Sequence, residues 1–498
     1  MNYLGMDIGT SCCKAVVFDE SGKQLYTAKR EYDVIFSDDG KAELDSNEVI
    51  NKCLEVIKEC SNNVERNSIK GFGISSQGEA FTAIGRNGEY LCNAMVSSDM
   101  RSQTLMKECL SDIGEEKLYQ ITGHTAHPMF TLFKLFWFKK NKPDLWDKVS
   151  YFLCFEDLLQ FRLGLKPIIP WSLAGRTMMF DVRRKEWNKE ILDYLGITAE
   201  QLAQPQPSGY PVGRLNEKMT NLLGLSKDAF VVTGGHDQPC NALGAGVLKD
   251  NTAILATGTV ECITPVSSKP IFSEVLRKNN LCTYNYAIKN LYTTVAFSTT
   301  GGNILKWYRD EFGQVEIFEA NQTKADPYEY LLRNMDKKPS ELLVLPYFTP
   351  SATPYFDTQT KGAILGLRLT THKGSLLRAL LEGVAFEMRL NLEILENSGY
   401  KIEELRLVGG GSKSSIWAQL KADVMNKNIT TLNINDAGCL GTAVLACSFD
   451  TGESVQSLIS KWVKPVSKVS PQSENVEWYT NRFEIYKKVY QSIRKISL

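Results

Sequence analysis

One pattern restricts the fold of this chain more than any other, and it occurs twice. Met6-Asp7-Ile8-Gly9-Thr10 near the start and Ala256-Thr257-Gly258-Thr259 further on both read as a strand running into a Gly-Thr turn, with a second strand behind it. Two such hairpins roughly 250 residues apart predict two related halves rather than one long domain. The break falls between Gly244 and Leu248, which gives an N-terminal domain over residues 1–245 and a C-terminal domain over 246–498. A chain of 498 residues, 43% hydrophobic and 23% charged, has the size and composition to bury two cores.

Apolar stretches over residues 3–8, 14–19 and 24–32, separated by Gly-containing turns, predict a strand meander. Helical spacing follows at Val49, Cys53, Val56, Ile57 and Cys60, and then a strand over 69–74. Strands first, then helix and strand, indicate a mixed sheet flanked by helices, an α/β fold. Between residues 100 and 230, Leu132, Leu135, Phe136 and Phe138, and later Ile191, Leu192 and Leu195, mark helices. In the second half the pattern predicts a long helix over 375–397, a strand over 405–408 and a helix over 415–426. Tyr479, Phe483, Tyr486, Tyr490 and Ile493 are spaced as the packing face of a last helix.

Charge and composition exclude several classes. Lys plus Arg and Asp plus Glu are 57 each, so no net charge draws the chain to nucleic acid or an anionic membrane. Twelve cysteines form no C-x-x-C pair, which fits reduced thiols in a cytoplasmic protein better than disulfides. Four histidines without H-E-x-x-H argue against zinc. Asp7 comes too early for a signal peptide, and no apolar run approaches the length of about 18 residues that spans a bilayer.

The residues with chemistry cluster at turns. Gly234-Gly235-His236-Asp237-Gln238 follows the strand-like 230–233, which places the Asp237 carboxylate to act as a base on something held between two halves. The alternative is that Asp237 caps the helix begun by Pro239. At the first hairpin, Gly9 frees main-chain N–H groups for phosphate, Thr10 and Ser11 add hydroxyls, Asp7 suits Mg²⁺ and Lys14 suits phosphate charge; the alternative is an ordinary hairpin. Thr259, Gly301-Gly302 and Gly409-Gly410-Gly411 offer further close backbone approaches to a ligand. Neither a Walker loop nor G-x-G-x-x-G is present.

Taken in order, D-I-G-T, G-G-H-D-Q, T-G-T, T-G-G and G-G-G-S resemble the FGGY carbohydrate kinases, members of the actin, Hsp70 and hexokinase ATPase superfamily. Gly73-Ile74-Ser75-Ser76-Gln77, Ser98-Asp99-Met100-Arg101, Gly175-Arg176-Thr177 and Glu382-Gly383-Val384 extend the resemblance along nearly the whole chain. It implies two ribonuclease-H-like domains with a cleft between them, and ATP and Mg²⁺ as cofactors. It also implies Asp237 as catalytic base on a sugar hydroxyl and Asp7 as the Mg²⁺-associated carboxylate. Thr10, Ser11, Lys14 and Thr259 would then contact the β- and γ-phosphates, and Gly302, Gly411 and Ser415 the nucleoside end. Gln77, Glu79, Asp99, Arg101 and Gln238 would line the sugar pocket. Because the proton leaves late in phosphoryl transfer, the base needs little elevation of its pKa.

Within that family the chain is most similar to the xylulose and related ketose kinases, which implies a pentulose such as xylulose as substrate. A polyol or hexulose (glycerol, erythritol, gluconate or similar) is the alternative, and an actin- or Hsp70-like nucleotide switch is the alternative of another class. A small-molecule substrate, no nucleic acid and no membrane complete the expectation for partners, with a homodimer left as an open alternative to a monomer. The departures concern the pocket. Where the glycerol kinases carry Arg between Gln and Glu, this chain has Gly78, expected to leave room; where xylulose kinases carry His, it has Glu79. Ser97-Ser98 stand where glycerol kinases have Trp, and Arg176 reads either as reaching the sugar or as the anchor of a surface loop, the latter preferred.

Overall fold

In the computed structural model, which describes residues 1–496, the opening meander is β1 (Asn2–Ile8), β2 (Cys12–Asp19) and β3 (Gln24–Glu31), paired antiparallel. Helix α1 (Ser46–Asn62) starts at Asp45, whose carboxylate accepts from the amides of Asn47 and Glu48, satisfying donors the first turn leaves free. Its Val49, Cys53, Val56, Ile57 and Cys60 face the sheet and are buried. β4 (Ile69–Ser76) lies parallel to β1, so α1 is the crossover that a parallel pair requires. β5 (Pro211–Arg214) and β6 (Phe230–His236) complete a six-stranded sheet in the order β5-β6-β4-β1-β2-β3. Helix α2 (Asp237–Gly244) runs directly from β6.

The second half repeats the plan. β7 (Asn251–Thr257), β8 (Glu261–Ser267) and β9 (Ala296–Ser298) are antiparallel neighbours. After the long α3 (Lys373–Asn397), β10 (Ile402–Gly409) pairs parallel with β7. Helix α4 (Ser415–Met425) then leads to β11 (Asn428–Leu432), parallel to β10. Helix α5 (Ala437–Thr451) and β12 (Pro465–Val469), antiparallel to β11, precede the last helix, α6 (Ser473–Arg494). Six of the eight strands of this sheet, in the order β12-β11-β10-β7-β8-β9, match the first sheet, including which pairs are parallel, and the short strands Tyr284–Asn285 and Tyr292–Thr293 extend it from β8.

Helix α5 is the element that sequence reading passed over. It lies in the chain between β11 and β12 of the second sheet but packs on β1 and β4 of the first, beside α2. The approach is backbone to backbone: a Cβ on Gly5 would lie 1.7 Å from the Cys439 carbonyl oxygen, and one on Gly244 1.8 Å from that of Ala437. Only glycine permits this. Tyr3, Phe18, Phe230, Leu243, Leu440, Val444 and Trp462 form one core shared by both halves around this crossing.

Long insertions in each half form the walls of the cleft. The first holds helices Thr131–Asn141 and Lys189–Leu195 on a core that includes Phe81, Phe133 and Leu192. The second, between β9 and α3, holds helices Gly302–Phe312 and Pro327–Arg333 on a core that includes Leu377 and Leu380 of α3. All twelve cysteines are unpaired, and all but Cys12 and Cys92 are buried, as expected of thiols used for packing. Among the described residues no helix is long and apolar enough to cross a membrane.

Candidate active site

A cavity of about 480 Å³ opens beyond the carboxyl ends of β4 and β6, where ligands bind in sheets of this kind. Three chain reversals build its floor: the Gly9-Thr10-Ser11 turn, the exit of β4 into Gln77-Gly78-Glu79, and the exit of β6 into Asp237-Gln238. Gln77 ties two of them together, since its amide donates to the Gly9 carbonyl at 3.0 Å and accepts from Thr10 Oγ1 at 3.1 Å. Ser11 is exposed on the turn.

Asp237 is the first residue of α2, and no side chain caps that helix. The cap alternative therefore does not describe it. One of its carboxylate oxygens is buried without a hydrogen-bond partner. His236 Nε2 lies 3.1 Å from that oxygen but outside hydrogen-bonding geometry. Burial, followed by the charges of Asp7 and Glu79, pushes the Asp237 carboxyl up to about 7, further than a late proton transfer demands. His236 stays neutral, because burial and the nearby Arg176 charge hold it well below its ordinary value. Its Nδ1 sits 3.0 Å from the Tyr284 hydroxyl.

Glu79 has φ of +66°, a region that a residue with a side chain enters only when its surroundings hold it there. Its carbonyl accepts from Thr131 Oγ1 at 2.9 Å and from Lys134 Nζ at 3.3 Å. Lys134 is fully buried, and burial lowers its pKa to about 8. The Glu79 carboxylate accepts from Ser97 Oγ at 2.7 Å and from Arg176 Nε at 2.5 Å. Arg176 is thus a buried cavity residue set between the rings of Phe130 and Tyr284, not the surface-loop anchor expected of it. Gly78 needs the same correction. A Cβ there would lie 3.0 Å from His236 and 3.2 Å from Arg176, so the room it leaves is already filled.

Gln77, Glu79 and Gln238 line the cavity, whereas Asp99 and Arg101 do not reach it. The Arg101 guanidinium is spent on Asp99 and Glu43 and lies 4.5 Å over Trp137, and Asp99 accepts from the Ala42 amide. They stand behind Ser97. The residues that sequence reading missed, His127, Phe130, Asn280, Tyr355 and Phe356, come from the two insertions, whose loops carry no motif.

A second cavity of about 1050 Å³ is walled by Thr257, Gly258, Thr259, Gly302, Gly411 and Ser415, with Tyr328 and Lys306 beside them. Here the glycines serve the protein itself. A Cβ on Gly302 would lie 2.6 Å from the Gly258 carbonyl oxygen, and one on Gly411 2.7 Å from Thr257 Cγ2. They let three loops close on one another at the wall of this cavity. Beneath them Lys421 and Glu261 form a fully buried ion pair, and Lys421 also donates to Thr257 Oγ1 at 2.8 Å.

Asp7 accepts from Ser75 Oγ at 2.8 Å, and burial raises its pKa. Lys14 is paired with Asp436, just before α5. The charges of Asp436 and Lys14 both act on Asp7, and that of Asp7 acts on Asp237, so carboxylates outnumber lysine here. That surplus of carboxylate oxygen suits a hard divalent cation, and Mg²⁺ bound with a nucleotide needs only one or two carboxylates. Among the described residues no group of three ligating side chains is arranged to hold a metal alone.

Duplicated α/β halves that share a core, a polar cavity with an unpaired buried carboxylate and a loop-walled cavity on the second sheet define a two-domain phosphotransferase. The chain belongs to the FGGY family of carbohydrate kinases: the N-terminal domain model of that family matches residues 2–244 and the C-terminal model residues 253–448. It is accordingly an ATP-dependent sugar kinase. The xylulose kinase of Bacillus subtilis is 26% identical over 100% of this chain and 98% of its own length. The gluconokinase of Bacillus licheniformis is 24% identical over 97% and 94%. Structures of a gluconate kinase and a ligand-bound xylulose kinase from Lactobacillus acidophilus each superpose with a TM-score of 0.89 at 23% identity, covering 99% of this chain and 98% of theirs.

Proposed function

We propose that the protein transfers the terminal phosphoryl group of ATP to a hydroxyl of a pentulose such as xylulose, with Asp237 as general base. The observation that carries this is the Asp237 carboxylate: buried, unpaired, near neutral pKa, and facing a cavity of sugar size. A carboxylate within reach of the attacking hydroxyl accepts its proton as the bond to phosphorus forms. Gln77, Glu79 and Gln238 orient the sugar, and the first half up to residue 245 supplies most of that wall. Thr10 and Ser11 from one half and Thr259 from the other present hydroxyls and amides to the phosphates. Gly302, Gly411 and Ser415, in the half from 246, hold the nucleoside. Mg²⁺ would neutralise phosphate charge beside Asp7. Closure of the halves around their shared core excludes water, which would otherwise take the phosphoryl group.

The gluconokinase relatives favour a second reading, an aldonate substrate. ADP release with Mg·ATP and a panel of ketoses, polyols and aldonates separates the two. Stimulation by a ketopentose well above the sugar-free rate is the expected result. Greatest stimulation by a polyol lacking a carbonyl would sink the ketose reading, and ATP turnover indifferent to every sugar would sink the kinase.

A further inference from the structure

The sugar cavity is lined by one side-chain cation and two carboxylates: Arg176, Glu79 and Asp237. His127 and His236 also face it, and both rings are neutral, since burial pushes His127 down to about 4 and His236 well below its ordinary value. Arg176 is committed. Its Nε donates to one Glu79 oxygen and its Nη2 contacts the same oxygen, while Ser97 holds the other. Nη1 has no oxygen partner at all; it meets the Cys282 sulfur at 3.9 Å. The guanidinium can take this course because Gly78 has no side chain: the Arg176 Cβ and Cγ stand 3.2 Å from where a Cβ would be.

Resting on the sugar-kinase reading above, we propose that the buried Arg176–Glu79 pair makes this pocket select an uncharged polyhydroxylated substrate and refuse an aldonate. Arg176 Nη1 donates to a substrate oxygen, and Gly78 provides the path for the guanidinium. A substrate carboxylate would find the one cation already neutralised and would add a third anion to Glu79 and Asp237, with little water to screen them. A hydroxyl or ketone oxygen accepts the same N–H without adding charge. The arginine lost from the Gln77-Gly78-Glu79 block has in effect been supplied by a segment 97 residues away from Glu79.

The test is calorimetric titration, without ATP, of xylulose and xylitol against xylonate and gluconate. Wild type should bind the better neutral compound about 10²-fold more tightly than either aldonate, the size of a like charge brought into a dry site. Glu79→Gln keeps the shape but removes the charge that cancels Arg176, so the aldonates should gain roughly tenfold or more relative to the neutral pair. Arg176→Gln should weaken every compound without favouring the aldonates. Gly78→Ala leaves all charges in place and presses on Arg176; it should weaken the neutral compounds alone. Wild type that binds gluconate as tightly as xylulose, or Glu79→Gln with an unchanged ratio, overturns the inference. ADP release on the same samples keeps the two claims apart. Selective binding without phosphoryl transfer removes the kinase reading and leaves this one standing, while preferred phosphorylation of gluconate does the reverse.

Discussion

Asp237 and Asp436 occupy matching places in the two halves. Each stands at the start of the helix that follows the last parallel strand, Asp237 at the first residue of α2 after β6 and Asp436 at the cap position of α5 after β11. Their surroundings differ. Asp436 is paired with Lys14, whereas one oxygen of Asp237 has no partner and burial lifts its carboxyl to about 7. The hairpins differ in the same sense. Asp7 precedes the first turn where Ala256 precedes the second, and the second half's charges, Lys421 and Glu261, are sealed beneath its turn. Duplication supplies the same scaffold twice; which carboxylate can take up a proton depends on what pairs with it.

The hardest blow to this comparison would come from Asp237→Asn. An amide cannot accept the proton, so sugar phosphorylation should fall by roughly 10²–10⁴-fold while ATP still binds. Near-normal turnover would show the two acids to be equivalent in kind. The pH profile sharpens the point. A carboxyl with its pKa raised to about 7 is protonated below that pH and is no base there. kcat/KM should therefore fall about tenfold per unit as pH drops below roughly 7, and plateau above it. A break in the ordinary carboxylate range near pH 4 would mean that burial does not set the protonation of the base.

A change of intermediate size tests the second half. Lys421→Met strands Glu261 as a lone buried charge, and breaking such a pair costs about 3–5 kcal/mol. The denaturant midpoint should drop accordingly. The double variant Lys421→Met with Glu261→Gln should recover most of the loss, because the pair's net contribution is small against its desolvation. Failure of the double variant to recover would mean that Lys421 supports Thr257 and the loop-walled cavity directly.

Much of this was legible in the chain because its signals are local. Gly-Thr turns, alternating strands and Asp237 after a buried strand each lie within a few residues, and reading the two hairpins as repeats gave two related halves. What escaped notice depends on distance or on a missing contrast. Arg176 is 97 residues from Glu79, and nothing near it in sequence reveals the partner. Helix α5, with its run of Ala, Gly, Cys and Thr, has no polar face; it is buried on both sides because it lies between the halves. Gly78 was read as space for a substrate when protein atoms fill that space. A glycine reports that something comes close, but not what it is.

The smallest effect expected is also the most discriminating. Asp436→Asn frees Lys14, which is about a third exposed, from a pair that bridges β2 and the start of α5. Partly exposed pairs contribute about 1 kcal/mol or less, so the folded state should barely notice. The charge balance should. With Asp436 neutral, Lys14 faces Asp7 and the phosphates without a competitor, and one of the three carboxylates that draw in a divalent cation is gone. KM for ATP should fall or hold within a few-fold while the Mg²⁺ concentration needed for half-maximal rate rises, with kcat changed no more than about fivefold. Titrating both Mg²⁺ and ATP on wild type and variant measures this. If Asp436→Asn instead lost activity on the scale of Asp237→Asn, with its Mg²⁺ requirement unchanged, the paired acid would be acting in proton transfer, and pairing with lysine would not be what separates the two halves.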